Sequence, residues 1–204
     1  MNAEIDVTNI VLETDRLILR IFRQEDLDDF FEYASVPGVG EMAGWPHHPD
    51  KNESKYRLDK FIREKHTFAI VHKADNKVIG SLGIEECDAE GKLTEFASLR
   101  GREIGYVLAK PYWGQGIMPE AVKCVVNYLF DVLDYDFLLC GHYDFNLQSK
   151  RVQEKCGFVP YRTGLKFNSK LNDELIPGSL NLMLNPHKDI KLEFSHPETL
   201  VYKR

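Results

Sequence analysis

Hydrophobic positions change their period several times along this chain. A dense apolar run at 17–22 (Leu17, Ile18, Leu19, Ile21, Phe22) predicts a first strand. Over 24–34 the period lengthens. Leu27, Phe30, Phe31 and Ala34 recur at i, i+3, i+4 and i+7, the face of an amphipathic helix. Glycines and prolines crowd 36–49, which predicts a loop. Asn52 is placed to cap a second helix reaching about residue 65, with Tyr56, Leu58, Phe61 and Ile62 as its apolar positions. Strands at 67–72 and 77–86 read as a hairpin around Ala74, Asp75 and Asn76. A polar segment, 87–101, leads to a fourth strand at 102–108.

A glycine-bearing turn then precedes a third helix over about 118–133, whose apolar side is Ala121, Val122, Val125, Val126, Leu129 and Phe130. A fifth strand follows at 137–141, then a short helix at 149–156 that Gly157 suits as its C′ residue. Strands at 159–165 and 180–184, joined by an Asn-rich connection, end the pattern. Strands and helices mixed in this order predict a single-layer α/β architecture. No linker breaks the chain, so one domain over 1–204 is expected, with a core at about 12–185 and a polar tail at 186–204.

Composition narrows the chemistry. The 204 residues are 43% hydrophobic and 28% charged, as in ordinary globular proteins with a substantial core. A net charge of -6 argues against a nucleic-acid partner, which demands a basic face. No apolar run approaches the roughly 20 residues that span a bilayer, and no charged-then-apolar leader opens the chain. A cytoplasmic protein without membrane attachment is the expectation. The four cysteines lack C-x-x-C spacing, and Cys124 and Cys140 read as small core residues. His47-His48 is an adjacent pair in a loop, no H-E-x-x-H appears, and no metal is expected.

The stretch from Glu103 to Ala121 reads as a strand, a glycine turn and a helix start. Gly114 and Gly116 let the backbone bend while leaving N–H groups uncovered, and the helix adds the positive end of its dipole. That is a phosphate cradle made of backbone. A P-loop would need Lys and Ser/Thr where Ile117 and Met118 stand. A dinucleotide fingerprint starting at Gly114 would need glycine at Pro119. A coenzyme A pyrophosphate arm (Arg or Gln, two residues, Gly, one residue, Gly or Ala) fits with Gly116 as its central glycine, although Trp113 and Met118 depart from it. A tight turn holding nothing remains open on this stretch alone.

Further along, Asn146-Leu147-Gln148-Ser149 precedes Lys150-Arg151-Val152-Gln153-Glu154-Lys155-Cys156-Gly157-Phe158. With Glu103-Ile104-Gly105-Tyr106 and the stretch from Trp113 to Ala121, this resembles the GNAT superfamily of acyl-CoA N-acyltransferases. Leu12-Glu13-Thr14-Asp15-Arg16-Leu17-Ile18-Leu19-Arg20 is similar to the first strand of its ribosomal-protein N-terminal acetyltransferase branch. The resemblance covers about 12–185. It implies a central, mostly antiparallel sheet flanked by helices, with the fourth and fifth strands splayed apart. It also implies an acetyl-CoA-dependent N-acetyltransferase whose acceptor, a primary amine on a peptide N-terminus or a small molecule, attacks the thioester directly in a ternary complex.

Carried onto this chain, the resemblance makes Val107 and Leu108 the backbone groups along pantetheine, one N–H being the candidate oxyanion donor. Trp113, Gly114, Gln115, Gly116, Ile117 and Met118 become the pyrophosphate nest. Asn146 becomes a contact to the cofactor arm, or else a loop cap. Many relatives carry a tyrosine acid where this chain has Gln153, which cannot protonate a thiolate. Ser149 matches the serine suggested as thiolate partner in the ribosomal-type branch, and equally suits a helix N-cap. Glu103 matches that branch's proposed general base, with a strand-edge surface carboxylate as the plainer reading.

His142, at the end of the fifth strand, is an alternative base; Tyr143 and Asp144 are weaker candidates. The acceptor surface is expected from 36–49, the second helix and the last hairpin, with Trp45 and His47-His48 placed there by position. Glu85, Glu86, Asp88, Glu90 and Glu95 form an acidic cluster that reads as a solvated loop, or as an attractor of a polycation. A CoA-binding module without turnover and a nucleotide-binding dehydrogenase are the competing functions. Monomer and homodimer both remain open.

Overall fold

The apolar run at 17–22 forms the strand Leu17–Ile21 (β2), preceded by the two-residue strand Leu12–Glu13 (β1) that its period does not announce. The computed structural model describes residues 2–87, 93–168, 171, 174–192 and 201–202. Asp88 and Glu90, parts of the Asn-rich connection (169–170 and 172–173) and parts of the tail (193–200 and 203–204) lie outside the described residues. Contacts divide the chain into two units. One holds Ile5–Ile84 and Gly105–Val125; the other holds Met1–Glu4, Glu85–Ile104 and Val126–Arg204.

In the first unit, a 3-10 turn at Gln24–Asp26 leads into helix Leu27–Ala34 (α1), so the predicted helix starts one turn late. Asp26 explains the delay. It accepts from the Arg23 backbone N–H at 2.7 Å and from Arg20 Nη1 and Nη2 at 2.8 Å, which fixes the chain before the α-helix begins. Helix Lys51–Glu64 (α2) is capped by Asp50, not by the predicted Asn52. One Asp50 oxygen accepts from the N–H groups of Asn52 and Glu53, at 2.8 and 3.0 Å. Between α1 and α2 lies the expected loop, containing a 3-10 turn at Glu41–Ala43.

Phe22, Phe30 and Phe61 meet with ring centroids 5.3–5.7 Å apart and fasten both helices to β2. Strands Thr67–His72 (β3) and Lys77–Glu85 (β4) form the predicted hairpin, with Asn76 at φ 49° in its turn. β2 pairs antiparallel with β3 from Leu17↔His72 to Ile21↔Phe68.

Strand Gly101–Leu108 (β5) and helix Ile117–Asn127 (α3) each cross a unit boundary. The third helix was expected to reach about 133; instead its last turn is a π-turn at Tyr128–Val132, closed by Leu133 N–H to the Tyr128 carbonyl at 3.2 Å.

In the second unit, strand Phe137–Tyr143 (β6) is longer than predicted, helix Leu147–Cys156 (α4) starts two residues early, and strands Val159–Asn168 (β7) and Leu175–Leu184 (β8) both extend past their apolar runs. Backbone pairing carries the extension: β6 and β8 are antiparallel and in register from Phe137↔Leu184 to Tyr143↔Gly178. A short strand, Val201–Tyr202 (β9), pairs parallel with β7. The unit's core gathers Cys87, Leu93, Phe96, Phe137, Leu139, Tyr143, Leu165, Phe167, Leu180 and Leu182, with the Phe96 and Phe137 rings stacked at 4.2 Å. Glu95 is buried against Arg162 at 2.6 Å, so it is a structural ion pair rather than part of a solvated acidic loop. Glu86 is largely exposed, 3.7 Å from Arg102.

Candidate active site

The first unit carries the turn. Gly114 and Gly116 have φ of 76° and 75°, the left-handed region that a side-chain-bearing residue enters only at a cost. A Cβ on Gly114 would meet no protein atom within 4 Å, so backbone conformation, not crowding, requires the glycine. Trp113 anchors the turn: its indole N–H donates to the Leu108 carbonyl at 2.7 Å, and Lys110 Nζ lies 5.8 Å from its ring centroid. Its departure from the expected Arg or Gln thus becomes a brace between strand end and turn. Ile117 and Met118 are buried, so they contribute backbone to the turn and side chains to the core.

A pair that the turn's own sequence does not announce stands behind it. Glu120, in the first turn of α3, accepts from Thr14 Oγ1 at 2.5 Å and from Arg16 Nε at 2.7 Å, while Arg16 Nη1 donates to the Gln115 carbonyl at 3.0 Å. Burial pushes the Glu120 carboxyl up, but the bonds from Thr14 and Arg16 outweigh it and hold the group below its ordinary value. A bare carboxylate here would repel a phosphate. Arg16 cancels it and leaves the turn's N–H groups as the local positive end.

The second unit carries the polar side chains. β5 and β6 run parallel, pairing Gly101, Arg102 and Glu103 with Phe137, Leu138 and Leu139, where the ladder ends. Register fixes faces, because side chains alternate along a strand. Glu103 shares the face of Phe137, Leu139 and Tyr143. His142 lies on the other face with Leu138 and Cys140, and it sits inside β6, not beyond the strand's end as expected. Glu103 and His142 therefore serve opposite faces and are not two options for one position. Glu103 is 5% exposed, which removes the surface-carboxylate reading. Burial first, then the Glu103 charge, push the Cys87 thiol up to about 12, so Cys87 is a poor nucleophile at neutral pH.

α4 stands on the His142 face. Asn146 caps it, its side-chain oxygen accepting from Ser149 N–H at 3.0 Å. Asn146, not Ser149, is thus the N-cap, and Ser149 sits in the first turn. Gln153, one turn on, is fully buried. Its Nε2 donates to Ser149 Oγ at 3.1 Å and to the Gly141 carbonyl at 3.2 Å, and its Oε1 accepts from Asn181 Nδ2 at 2.6 Å. Gly157 ends the helix at φ 94°, as predicted. Tyr143 packs in the core and Asp144 accepts from Ser179 Oγ at 3.0 Å. Nothing in the sequence pairs Gln153 with Asn181; the register of β6 against β8, Cys140↔Asn181, brings them together.

In the loop of the first unit, His48 is buried, bonded through Nδ1 to Ser54 Oγ at 2.7 Å and set edge-on to Phe30. It supports the fold, which corrects its placement on an acceptor surface. Its neighbour His47 pairs with Glu41 at 2.8 Å. Burial raises the Glu41 carboxyl, but hydrogen bonds from the His47 ring and from backbone N–H groups, including those of His47 and Gly38, hold it down at about 2. A depressed carboxylate stabilises the fold above its ordinary value of 4.5, and that stability is lost as pH falls toward about 2. Glu41→Gln is accordingly expected to flatten acid unfolding over that interval while leaving thermal stability near pH 7 lower. Melting curves across pH check both. Of the cysteines, Cys140 is buried as expected, whereas Cys124 is part exposed.

The acetyltransferase (GNAT) domain family matches residues 16–159, and the chain belongs to that family. It is an enzyme of the acetyl-CoA-dependent acyltransferase class. A Bacillus subtilis protein named "Probable N-acetyltransferase YjcK" is 34% identical over 165 residues, 80% of this chain and 85% of that one. The structure of a GNAT-family acetyltransferase from Bacillus anthracis superposes with a TM-score of 0.71 at 20% identity, covering 86% of this chain and 99% of the other. Spermidine N-acetyltransferase from Vibrio cholerae, in complex with CoA and spermine, superposes with a TM-score of 0.66 at 17% identity, covering 84% and 97%. Among the described residues, no helix is long and apolar enough to cross a membrane.

Proposed function

We propose that this enzyme transfers the acetyl group of acetyl-CoA to a primary amine, on a small molecule or a peptide N-terminus, by direct attack in a ternary complex. One observation carries the reading: Glu103 and Ser149 lie on opposite faces of the sheet in the second unit, β5 and α4 presenting them where the β5–β6 ladder stops. Glu103 takes the proton of the incoming ammonium, directly or through water. Ser149 donates a hydrogen bond to the sulfur that departs. The suppressed Cys87 thiol supports attack by the amine itself over an acyl-cysteine intermediate.

In this reading the N–H groups of the 113–118 turn hold the pyrophosphate, those of Val107 and Leu108 hold pantetheine and the oxyanion, and Asn146 contacts the cofactor arm. His142, on the Ser149 face, is a second candidate for proton transfer there. A polyamine, as in the Vibrio cholerae neighbour's title, is one acceptor to try. The chain acts in the cytoplasm as a monomer or homodimer, without metal, nucleic acid or membrane.

A thermal-shift series tests the cofactor. Acetyl-CoA and CoA at 100 times Kd stabilise by about 2.7 kcal/mol, and NAD does nothing. Stabilisation by NAD and not by CoA would overturn the reading.

A further inference from the structure

The glycine that lets the turn bend also lets it flip. Gly116 sits at φ 75°, and glycine populates negative φ about as readily. A half-rotation of the peptide plane between Gln115 and Gly116 changes only the ψ of Gln115 and the φ of Gly116. It leaves the chain path nearly in place and reverses the direction of the Gly116 N–H. Local bonds hold the flanks. Gln115 Nε2 donates to the Pro111 carbonyl at 2.7 Å, and the Glu120 N–H donates to the Gly116 carbonyl at 3.2 Å. Neither bond acts on the plane between them.

That plane is held from 99 residues away, where Arg16 Nη1 donates to the Gln115 carbonyl at 3.0 Å. The peptide is trans, so a carbonyl drawn toward Arg16 sends the Gly116 N–H the opposite way. Arg16 is itself clamped. Its Nε and Nη2 lie 2.7 and 2.5 Å from Glu120 Oε2, and its own carbonyl accepts from the Lys73 N–H at 2.9 Å, next to the end of β3. Thr14 Oγ1 donates to the other Glu120 oxygen at 2.5 Å. Thr14 and Arg16 join β1 to β2, so the clamp is built on the sheet. A Cβ on Gly116 would stand 3.7 Å from Arg16 Nη2, so the guanidinium lies along the turn without crowding it.

We infer that Arg16 is a positioning residue that locks the Gln115–Gly116 peptide with its N–H turned toward the pyrophosphate of coenzyme A. The inference rests on the reading that this turn holds that pyrophosphate, and it assigns the lock to a residue outside the turn. Glu120 and Thr14 set the guanidinium fork, and the fork sets the peptide. Without the lock, the fraction of protein in the binding orientation falls, and the apparent affinity falls with it.

Arg16→Met/Glu120→Gln removes the lock without leaving a bare carboxylate beside the phosphate. Calorimetry reads CoA affinity. The nuclear Overhauser effect between Gln115 Hα and the Gly116 N–H, measured on ligand-free protein and again with CoA, reads the ψ of Gln115. The double variant is expected to bind CoA about 3- to 10-fold more weakly than wild type, as a competent fraction between roughly a third and a tenth requires. Its Overhauser effect departs from the wild-type value and returns to it when CoA binds. If that variant fails to fold, Arg16→Lys keeps a cation beside Glu120 but lacks the planar fork, and the same two changes are expected.

Wild-type affinity in a folded variant, or weaker binding with the Overhauser effect unchanged, overturns the lock alone. Failure of the wild-type protein to bind CoA overturns the pyrophosphate reading and this inference with it.

Discussion

Glu103→Gln is expected to lower kcat by about 10²- to 10⁴-fold, the usual range for a lost general base, with little change in KM for acetyl-CoA. The substitution keeps shape and hydrogen-bonding capacity at a 5% exposed position, so packing on β5 survives. What disappears is a basic oxygen. An alkyl ammonium titrates near ~10 and is overwhelmingly protonated at neutral pH, so attack waits on proton removal. Register puts Glu103 on the face opposite Ser149 and His142, so neither can reach around to replace it. The variant's rate should therefore rise with pH up to the amine's own titration, where solvent has done the work. Steady-state rates from pH 6 to 10, with acetyl-CoA saturating, check both the drop and the recovery. A variant with wild-type kcat and profile would remove Glu103 from the mechanism.

Gly114→Val is expected to weaken CoA binding about 10- to 100-fold and to erase most of the thermal stabilisation by CoA. Gly114 holds φ at 76°, and an L residue pays about 1–2 kcal/mol there, more with a branched Cβ. Each 1.4 kcal/mol is tenfold in affinity. No protein atom lies within 4 Å of the added Cβ, so the free protein loses little packing. If the turn swings to negative φ to relieve the strain, its N–H groups no longer converge. Calorimetric titration with CoA reads the loss directly. Unchanged affinity in a folded variant would mean that the turn holds no phosphate.

Several features of this fold were legible because local periodicity and tertiary need agree. The 27–34 apolar face, the 67–85 hairpin and Gly157 are where the pattern puts them. The misses have physical causes. Asp50 displaces Asn52 as cap because the helix starts at Lys51, where the Asp50 carboxylate accepts the N–H groups of Asn52 and Glu53. β6 runs on to Tyr143 because β8 pairs with it through polar positions, His142↔Ser179 among them, that carry no apolar signal. That extension changes the site: it moves His142 from a strand end into the strand, on the face away from Glu103.

Motif reasoning singled out Glu103, Asn146, Ser149 and the glycine turn as candidates. It could not find their supports. Arg16 and Glu120 are 104 residues apart, Gln153 and Asn181 are 28 apart, and only the folded chain makes partners of them. Gln153 shows the limit most clearly. In the sequence it is a missing tyrosine; in the structure its two amide ends tie a sheet carbonyl, a strand asparagine and the site serine together.

The central claim, direct acetyl transfer to a primary amine, is tested by mixing the protein with acetyl-CoA and a panel of polyamines, amino-sugar amines and peptide N-termini. Free thiol and acetylated amine are then followed together by thiol titration and mass spectrometry. The expected result is thiol release that depends on one class of amine and matches the acetylated product mole for mole. Tight acetyl-CoA binding with no acetylated amine from any class, or thiol release independent of amine, would contradict it.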